Sequence, residues 1–306
     1  MNSLSQALLS LEGLSIGDAF GQCFFQPSFS DQHLVNQSLP EAPWYFTDDT
    51  EMSLSVVDVL AKYGEIDQDA LAKSLALHYS YDRAYGPSMH RVLERIRCGE
   101  HWRDVASSSF EGQGSWGNGA AMRAAPLGAF FASDLSVAAA QAALSAEVTH
   151  AHPEGIAGAV AVAIAAAQAT RFAGAGRLPS HQEFLDSVIG LLAPSEVRSK
   201  LARAQSIRSA ESVQFAVSIL GNGTGMSAQD TVPFALWCCS QRLTRYEDAM
   251  WLAVSGGGDR DTICAIVGGV VASFVGSDGI PAAWRSRRET LPAWHADAQP
   301  SHRAGA

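Results

Sequence analysis

The chain has 306 residues, a formal net charge of −10, and 47% apolar against 17% charged residues. That size sits near the upper limit for one hydrophobic core, and the composition is that of a folded globular protein. The one basic run is Arg285-Ser286-Arg287-Arg288, so a nucleic-acid surface has no electrostatic footprint and an anionic membrane is disfavoured. A phosphate-bearing small molecule is not excluded, because a bound metal reverses the local field.

Along the chain, residues 1–18 lack a charged segment followed by a clean apolar core, so no signal peptide is expected. A helical face recurs at Ser53, Val56, Val57, Leu60 and Ala61, and again at Met89, Val92, Leu93 and Ile96. Later faces fall at Leu185, Val188, Ile189 and Leu192, and at Tyr246, Ala249, Met250 and Ala253. Gly64, Gly99 and Gly221 read as helix stops, and Pro233 suits the first turn of a helix starting near Asp230 or Thr231. The stretch 155–170 is apolar almost all round, which predicts a helix buried in the middle of a bundle. Its longest apolar run, 156–167, is short for a membrane span. Period-2 strand patterns are hard to find. The expected fold is therefore all-α, a single compact multi-helix domain over residues 1–287, with a polar, poorly ordered tail over 288–306. The five cysteines show no disulfide or zinc spacing, so reduced thiols in a cytoplasmic protein are expected, with Cys238 and Cys239 as inert core residues.

Two acidic clusters stand apart in the chain. Thr47-Asp48-Asp49-Thr50 precedes one apolar helical run, and Gly256-Gly-Gly-Asp-Arg-Asp-Thr262 precedes another. Asp and Thr cap helices, and the helix dipole favours carboxylates there. A cap needs one oxygen, however, and two adjacent carboxylates repel each other. A hard cation such as Mg²⁺ takes several carboxylate and hydroxyl oxygens. Both readings stay open from spacing alone.

Between them, Gly112-Gln-Gly-Ser-Trp-Gly-Asn-Gly119 lacks the Lys-Ser/Thr ending of a P-loop and follows no strand. It reads either as an anion-binding nest of backbone N–H groups or as a structural loop. Trp116 suits stacking on a ring or plain packing. His150 and His152 in Thr149-His-Ala-His152 read as metal-capable or, more simply, as part of an inter-helix loop.

Taken in order, these motifs resemble the ADP-ribosylglycohydrolase family. The resemblance rests on Gly13-Leu-Ser-Ile-Gly-Asp-Ala-Phe-Gly21, Thr47-Asp-Asp-Thr50, Gly117-Asn-Gly-Ala-Ala-Met-Arg123, Thr149-His150 and Gly258-Asp-Arg-Asp-Thr262, spanning almost the whole chain. It implies an all-helical fold with two Mg²⁺ (or Mn²⁺) in a central cleft. It implies metal ligands at Thr47, Asp48, Asp49, Asp259, Asp261 and Thr262. It also implies ADP-ribose contacts from Ser115, Trp116, Gly117, Asn118 and Gly119, with His150 nearby. The activity implied is hydrolysis of the bond between ADP-ribose and a modified acceptor, releasing ADP-ribose, with Asp48 or Asp49 activating the attacking water.

One departure bears on the acceptor. Where several relatives associated with serine-linked ADP-ribose carry a Glu, counting places Phe25. That cue favours an arginine-linked protein substrate, whereas the Gly114-Ser-Trp-Gly-Asn-Gly119 loop looks like that of the serine-type branch; arginine is the expectation. The rival readings are the same chemistry on serine-linked, nucleic-acid-linked or small-molecule ADP-ribose, and a non-catalytic ADP-ribose-binding or immunity protein whose partner is an ADP-ribosylating toxin.

Overall fold

A computed structural model describes residues 2–26, 29, 31–208, 210–292 and 294. Among these residues the elements are α-helices and short 3-10 turns with no strand, and extended pairing is limited to isolated bridges between Trp44 and Arg288 and between Gly117 and Ser227. The all-α expectation agrees with this architecture.

The Pro153–Gly174 helix is the hub. Its alanines leave no polar side chain to satisfy, so the helices Leu135–Glu147, Ala125–Phe130, Ala228–Gln241 and Arg260–Val275 pack around it. At 22 residues and a mean hydropathy of 1.5 it is long and apolar enough to cross a membrane by length and composition, yet 67% of that window is buried inside the bundle. The remaining predicted faces point inward as well: Met89, Val92 and Leu93 are buried, as are Leu185, Val188, Tyr246, Ala249, Met250 and Ala253. Cys238 and Cys239 are fully buried, and burial raises both thiols.

The closest helix pair decides where the acids meet. Ser3–Gln22 lies along Arg260–Val275. A β-carbon on Gly17 would sit 2.2 Å from the Cys264 carbonyl oxygen, and one on Gly21 2.4 Å from that of Arg260. Gly13 and Gly268 make the same kind of contact further along, each against the other's carbonyl. Only a missing side chain allows two backbones this near.

Helix ends mostly follow the sequence. Gly64 takes the left-handed conformation (φ 74°), and its N–H donates to Leu60 O. Gly221 stops Val213–Leu220 at φ 93°, and Gly99 follows the Cys98 cap of Pro87–Arg97. Pro233 departs from expectation. Its helix runs Ala228–Gln241, so Pro233 lies inside rather than in the first turn. The start is set by tertiary bonds that no local signal encodes: the Ala228 N–H donates to Trp116 O at 3.0 Å, and Ser227 pairs with Gly117.

Part of the expected tail is described. Trp44 N–H donates to Arg287 O at 2.7 Å, and Glu289 N–H to Trp44 O at 2.9 Å. The Glu289 carboxylate accepts the Phe46 N–H at 3.0 Å and pairs with Arg83 at 2.5 Å. Residues 293 and 295–306 lie outside the described residues.

Gly17→Ala is expected to destabilise the protein by about 3 kcal/mol or more, because the clash is with backbone that cannot rotate away. Gly174→Ala, where nothing lies within 4 Å of the added carbon, is expected to be neutral or stabilising by up to about 1 kcal/mol. Denaturant midpoints of the two variants decide it; equal effects would remove the helix-contact explanation.

Candidate active site

The first acidic cluster is built on a helix start. Thr47 is the N-cap of Asp48–Tyr63, and its Oγ1 accepts the Asp49 N–H at 3.3 Å. Capping is thus done by Thr47, leaving both aspartate side chains for other work. Beneath them lies Asp18, on the glycine-lined helix. Its Oδ2 accepts the Thr47 N–H (2.9 Å), the Thr50 N–H (3.1 Å) and the Thr50 hydroxyl (2.5 Å). The Thr47 hydroxyl lies 2.8 Å from Asp18 Oδ1 and 2.9 Å from Asp49 Oδ2, so its one proton serves either. Asp18 therefore anchors the turn that carries Asp48 and Asp49. From the sequence alone Asp18 received no role; the available signal was an acid between Gly17 and Gly21, the one acid on that helix's buried face.

The second cluster arrives on Arg260–Val275. Asp259 holds the N-cap position but makes no side-chain cap bond. Its Oδ2 instead accepts from Asn118 Nδ2 at 2.6 Å, and the same amide reaches Thr231 Oγ1 at 2.9 Å. Thr262 Oγ1 lies 3.4 Å from Asp49 Oδ2, a long contact that joins the two clusters.

One cavity of about 350 Å³ collects these parts. Asp48, Asp259, Asp261 and Thr262 line it, together with all of 115–119 and His150. Thr47 and Asp49 lie below the lining, almost fully buried. His152 is the N-cap of Pro153–Gly174 and accepts the Glu154 N–H, so it serves structure. Trp116 packs against Phe110, with ring centroids 4.8 Å apart and planes tilted by 41°. Phe25 is 49% exposed and is not among the lining residues.

A loop that sequence reasoning read only as a helix stop also contributes. Asn222 O accepts the Asp259 N–H at 3.0 Å, and Met226 O accepts the Asn118 N–H at 3.2 Å. Asp230 Oδ2 holds the Gly225 N–H at 2.8 Å. This 221–231 segment clamps the glycine loop to the second acidic cluster. On the opposite rim, Glu51 accepts from Ser80 N–H, the Ser80 hydroxyl and the Tyr85 hydroxyl at 2.6–2.9 Å, fixing the loop whose Arg83 O accepts the Asp48 N–H at 2.7 Å.

The charges are not balanced by the chain. Burial, reinforced by the neighbouring acids, pushes Asp48, Asp49 and Asp261 well above the ordinary carboxylate range. Burial raises Asp259 too, and Asp18 to about 6 against the pull of its four hydrogen bonds. Among the described residues no Lys or Arg bonds any of Asp48, Asp49, Asp259 or Asp261. Asp49 Oδ1 and Asp261 Oδ1 are buried without any partner. Buried carboxylates in that condition call for a cation. No three Asp, Glu, His or Cys side chains among the described residues form a ready-made metal cluster. The oxygens of Asp48, Asp49, Asp259, Asp261, Thr47 and Thr262 are nevertheless hard donors of the kind that would suit Mg²⁺ or Mn²⁺, with Asp49 Oδ1 and Asp261 Oδ1 unpartnered among them.

A raised folded-state carboxyl pKa favours the protonated form. Its contribution to stability is therefore present below the unfolded value near 4 and lost as pH rises through the folded value. With chelator present, the melting temperature is expected to fall between about pH 4 and pH 7, through Asp18 at about 6 and the other acids whose burial raises them. Mg²⁺ is expected to restore it at pH 7 and to do little at pH 5. Asp49→Asn is expected to raise the chelated protein's melting temperature at pH 7 and to blunt the Mg²⁺ effect. A melting temperature that climbs over this pH window with chelator present would contradict the assignment.

Comparison with known proteins finds relatives along most of the chain. The sequence pattern of the ADP-ribosylglycohydrolase family matches residues 2–300. The human ADP-ribosylhydrolase ARH3 is 30% identical, with 98% of this chain and 94% of that one covered. The mouse ARH3 is 29% identical over 85% and 77% respectively, and the Escherichia coli protein YegU, itself uncharacterised, is 28% identical over 80% and 76%. A solved structure described as an ADP-ribosylglycohydrolase-related protein complex superposes with a TM-score of 0.62 at 22% identity, covering 97% of this chain and 95% of that one, which shows the shared fold. With the family pattern matched over residues 2–300, the chain belongs to the ADP-ribosylglycohydrolase family.

Proposed function

We propose that the protein is a Mg²⁺-dependent hydrolase that releases ADP-ribose from a modified protein. The observation that carries the reading is the single cavity in which both acidic clusters meet the 115–119 loop and His150. Mn²⁺ suits the same oxygen donors. A divalent cation held by Thr47, Asp48, Asp49, Asp259, Asp261 and Thr262 supplies Lewis-acid charge that orients sugar hydroxyls and water.

The chain's own residues divide the remaining work. Asp48 faces the cavity, whereas Asp49 lies beneath it with Oδ2 within reach of the Thr47 and Thr262 hydroxyls. Asp48 is thus the better-placed base. In its ionised form Asp48 takes a proton from water as the water oxygen bonds to the anomeric carbon and the bond to the acceptor breaks, and that proton, passed on from Asp48 or exchanged through solvent, ends on the departing group. Asn118 steadies Asp259 and Thr231 together, keeping the glycine loop in register with the second cluster.

The acceptor reading changes from the expectation. Arginine rested on Phe25, which is half exposed and outside the cavity lining, whereas the serine-type loop 115–119 forms its wall. A serine-linked substrate is therefore favoured over an arginine-linked one. Four of the five free cysteines are buried, which suits a reducing compartment such as the cytoplasm.

Release of free ADP-ribose from serine-linked and arginine-linked proteins, each with Mg²⁺ and with chelator, tests the reading. Serine-linked release that stops with chelator is expected. Arginine-linked release alone would restore the Phe25 cue, and binding of ADP-ribose without release from either would favour a non-catalytic binder. Asp261→Ala is expected to lower release by at least about a hundredfold and to weaken Mg²⁺ binding in calorimetry. Unchanged Mg²⁺ affinity would remove Asp261 from the metal set.

A further inference from the structure

His150 is fully enclosed on all sides but one. Its ring lies under the glycine loop: a β-carbon on Gly119 would sit 3.0 Å from Nε2, and one on Gly117 3.2 Å from it. Nε2 has no hydrogen-bond partner among the described residues, and His150 lines the cavity. The other ring nitrogen, Nδ1, lies 2.8 Å from Thr149 Oγ1. The same hydroxyl lies 3.0 Å from Arg123 Nη2, which also donates to Ser145 O at 2.8 Å. Arg123 is fully buried without a carboxylate partner, a costly arrangement that the family motif ending at Arg123 does not explain.

The directions of these bonds follow from valence. A guanidinium only donates, so Thr149 Oγ1 accepts from Arg123. The hydroxyl proton then has one acceptor in reach, Nδ1; that pairing satisfies it, whereas a proton on Nδ1 would leave the buried hydroxyl proton without a partner. A neutral ring that accepts at Nδ1 carries its proton at Nε2. The ring is neutral, because burial and the nearby Arg123 charge push His150 down to about 3.

We propose that Arg123 and Thr149 are positioning residues that lock His150 as the Nε2-protonated tautomer, so that its one free N–H is a fixed donor to an acceptor oxygen of the ligand beneath the glycine loop. Under the preceding functional reading, on which this ligand assignment rests, that oxygen belongs to ADP-ribose. Gly117 and Gly119 then have a second purpose: any side chain at Gly119 would meet the ring and cover the donor.

The test reads the ring directly. In the full-length protein labelled with ¹⁵N-histidine, long-range proton–nitrogen correlation distinguishes the protonated from the bare ring nitrogen, with His150→Asn supplying the assignment. The expected result is a bare Nδ1 and a protonated Nε2 in the wild type. Thr149→Val, which keeps the shape and removes the hydroxyl, is expected to lose that fixed tautomer and to weaken ADP-ribose binding about tenfold; Thr149→Ser is expected to restore both. A proton on Nδ1 in the wild type, or an unchanged tautomer in Thr149→Val, overturns the relay. ADP-ribose that binds the wild type without moving the Nε2–H resonance overturns the donor role. Failure of ADP-ribose to bind the wild type at all would instead sink the functional reading and, with it, the ligand assigned to this donor, while the tautomer measurement still judges the relay.

Discussion

Glycines on Ser3–Gln22 let its backbone lie directly against that of Arg260–Val275, close enough that a methyl group at Gly17 would overlap a carbonyl oxygen. The rest of the site depends on that distance. Asp18 projects from the same helix and gathers the amides and hydroxyls of Thr47 and Thr50, so the first acidic cluster takes its place from the helix that touches the second. Moving the two helices apart by one side chain would separate the clusters by more than a hydrogen bond can span.

The electrostatics follow from that geometry. Each buried carboxylate raises its neighbours' proton affinity, and among the described residues no lysine or arginine bonds to answer them. Two kinds of carboxylate coexist. Asp18 and Glu51 spend their oxygens on amides and hydroxyls and shape the walls, whereas Asp49 and Asp261 each leave one buried oxygen with no partner. Such unanswered groups lower the stability of the protein alone and mark where binding energy is to be recovered.

The two acidic clusters were legible because paired carboxylates exceed what a helix cap needs; in the structure Thr47 does the capping and Asp259 makes no cap bond. The Ala-rich core helix was legible from its unbroken apolar surface. Other features depend on contacts between distant segments and leave no local trace. The start of Ala228–Gln241 is set by bonds to Trp116 and Gly117, so Pro233 misplaced it. The bracing role of Asn222 and Asp230 exists only once their loop meets Asn118 and Asp259. The Phe25 cue rested on counting residues from a motif, which carries no information about which way the chain turns after it, and that side chain lies outside the cavity lining.

The contact between Thr262 and Asp49 closes over 213 residues. During synthesis the early aspartates leave the ribosome on the order of 10–40 seconds before their partners, at ordinary elongation rates. Through that interval their carboxylates stay hydrated and the glycine face of the first helix stays uncovered. The electrostatic cost of the site therefore falls on the closing step of folding, when Arg260–Val275 docks and water leaves. Whatever offsets that cost has to act at this last step, after every earlier helix is already in place.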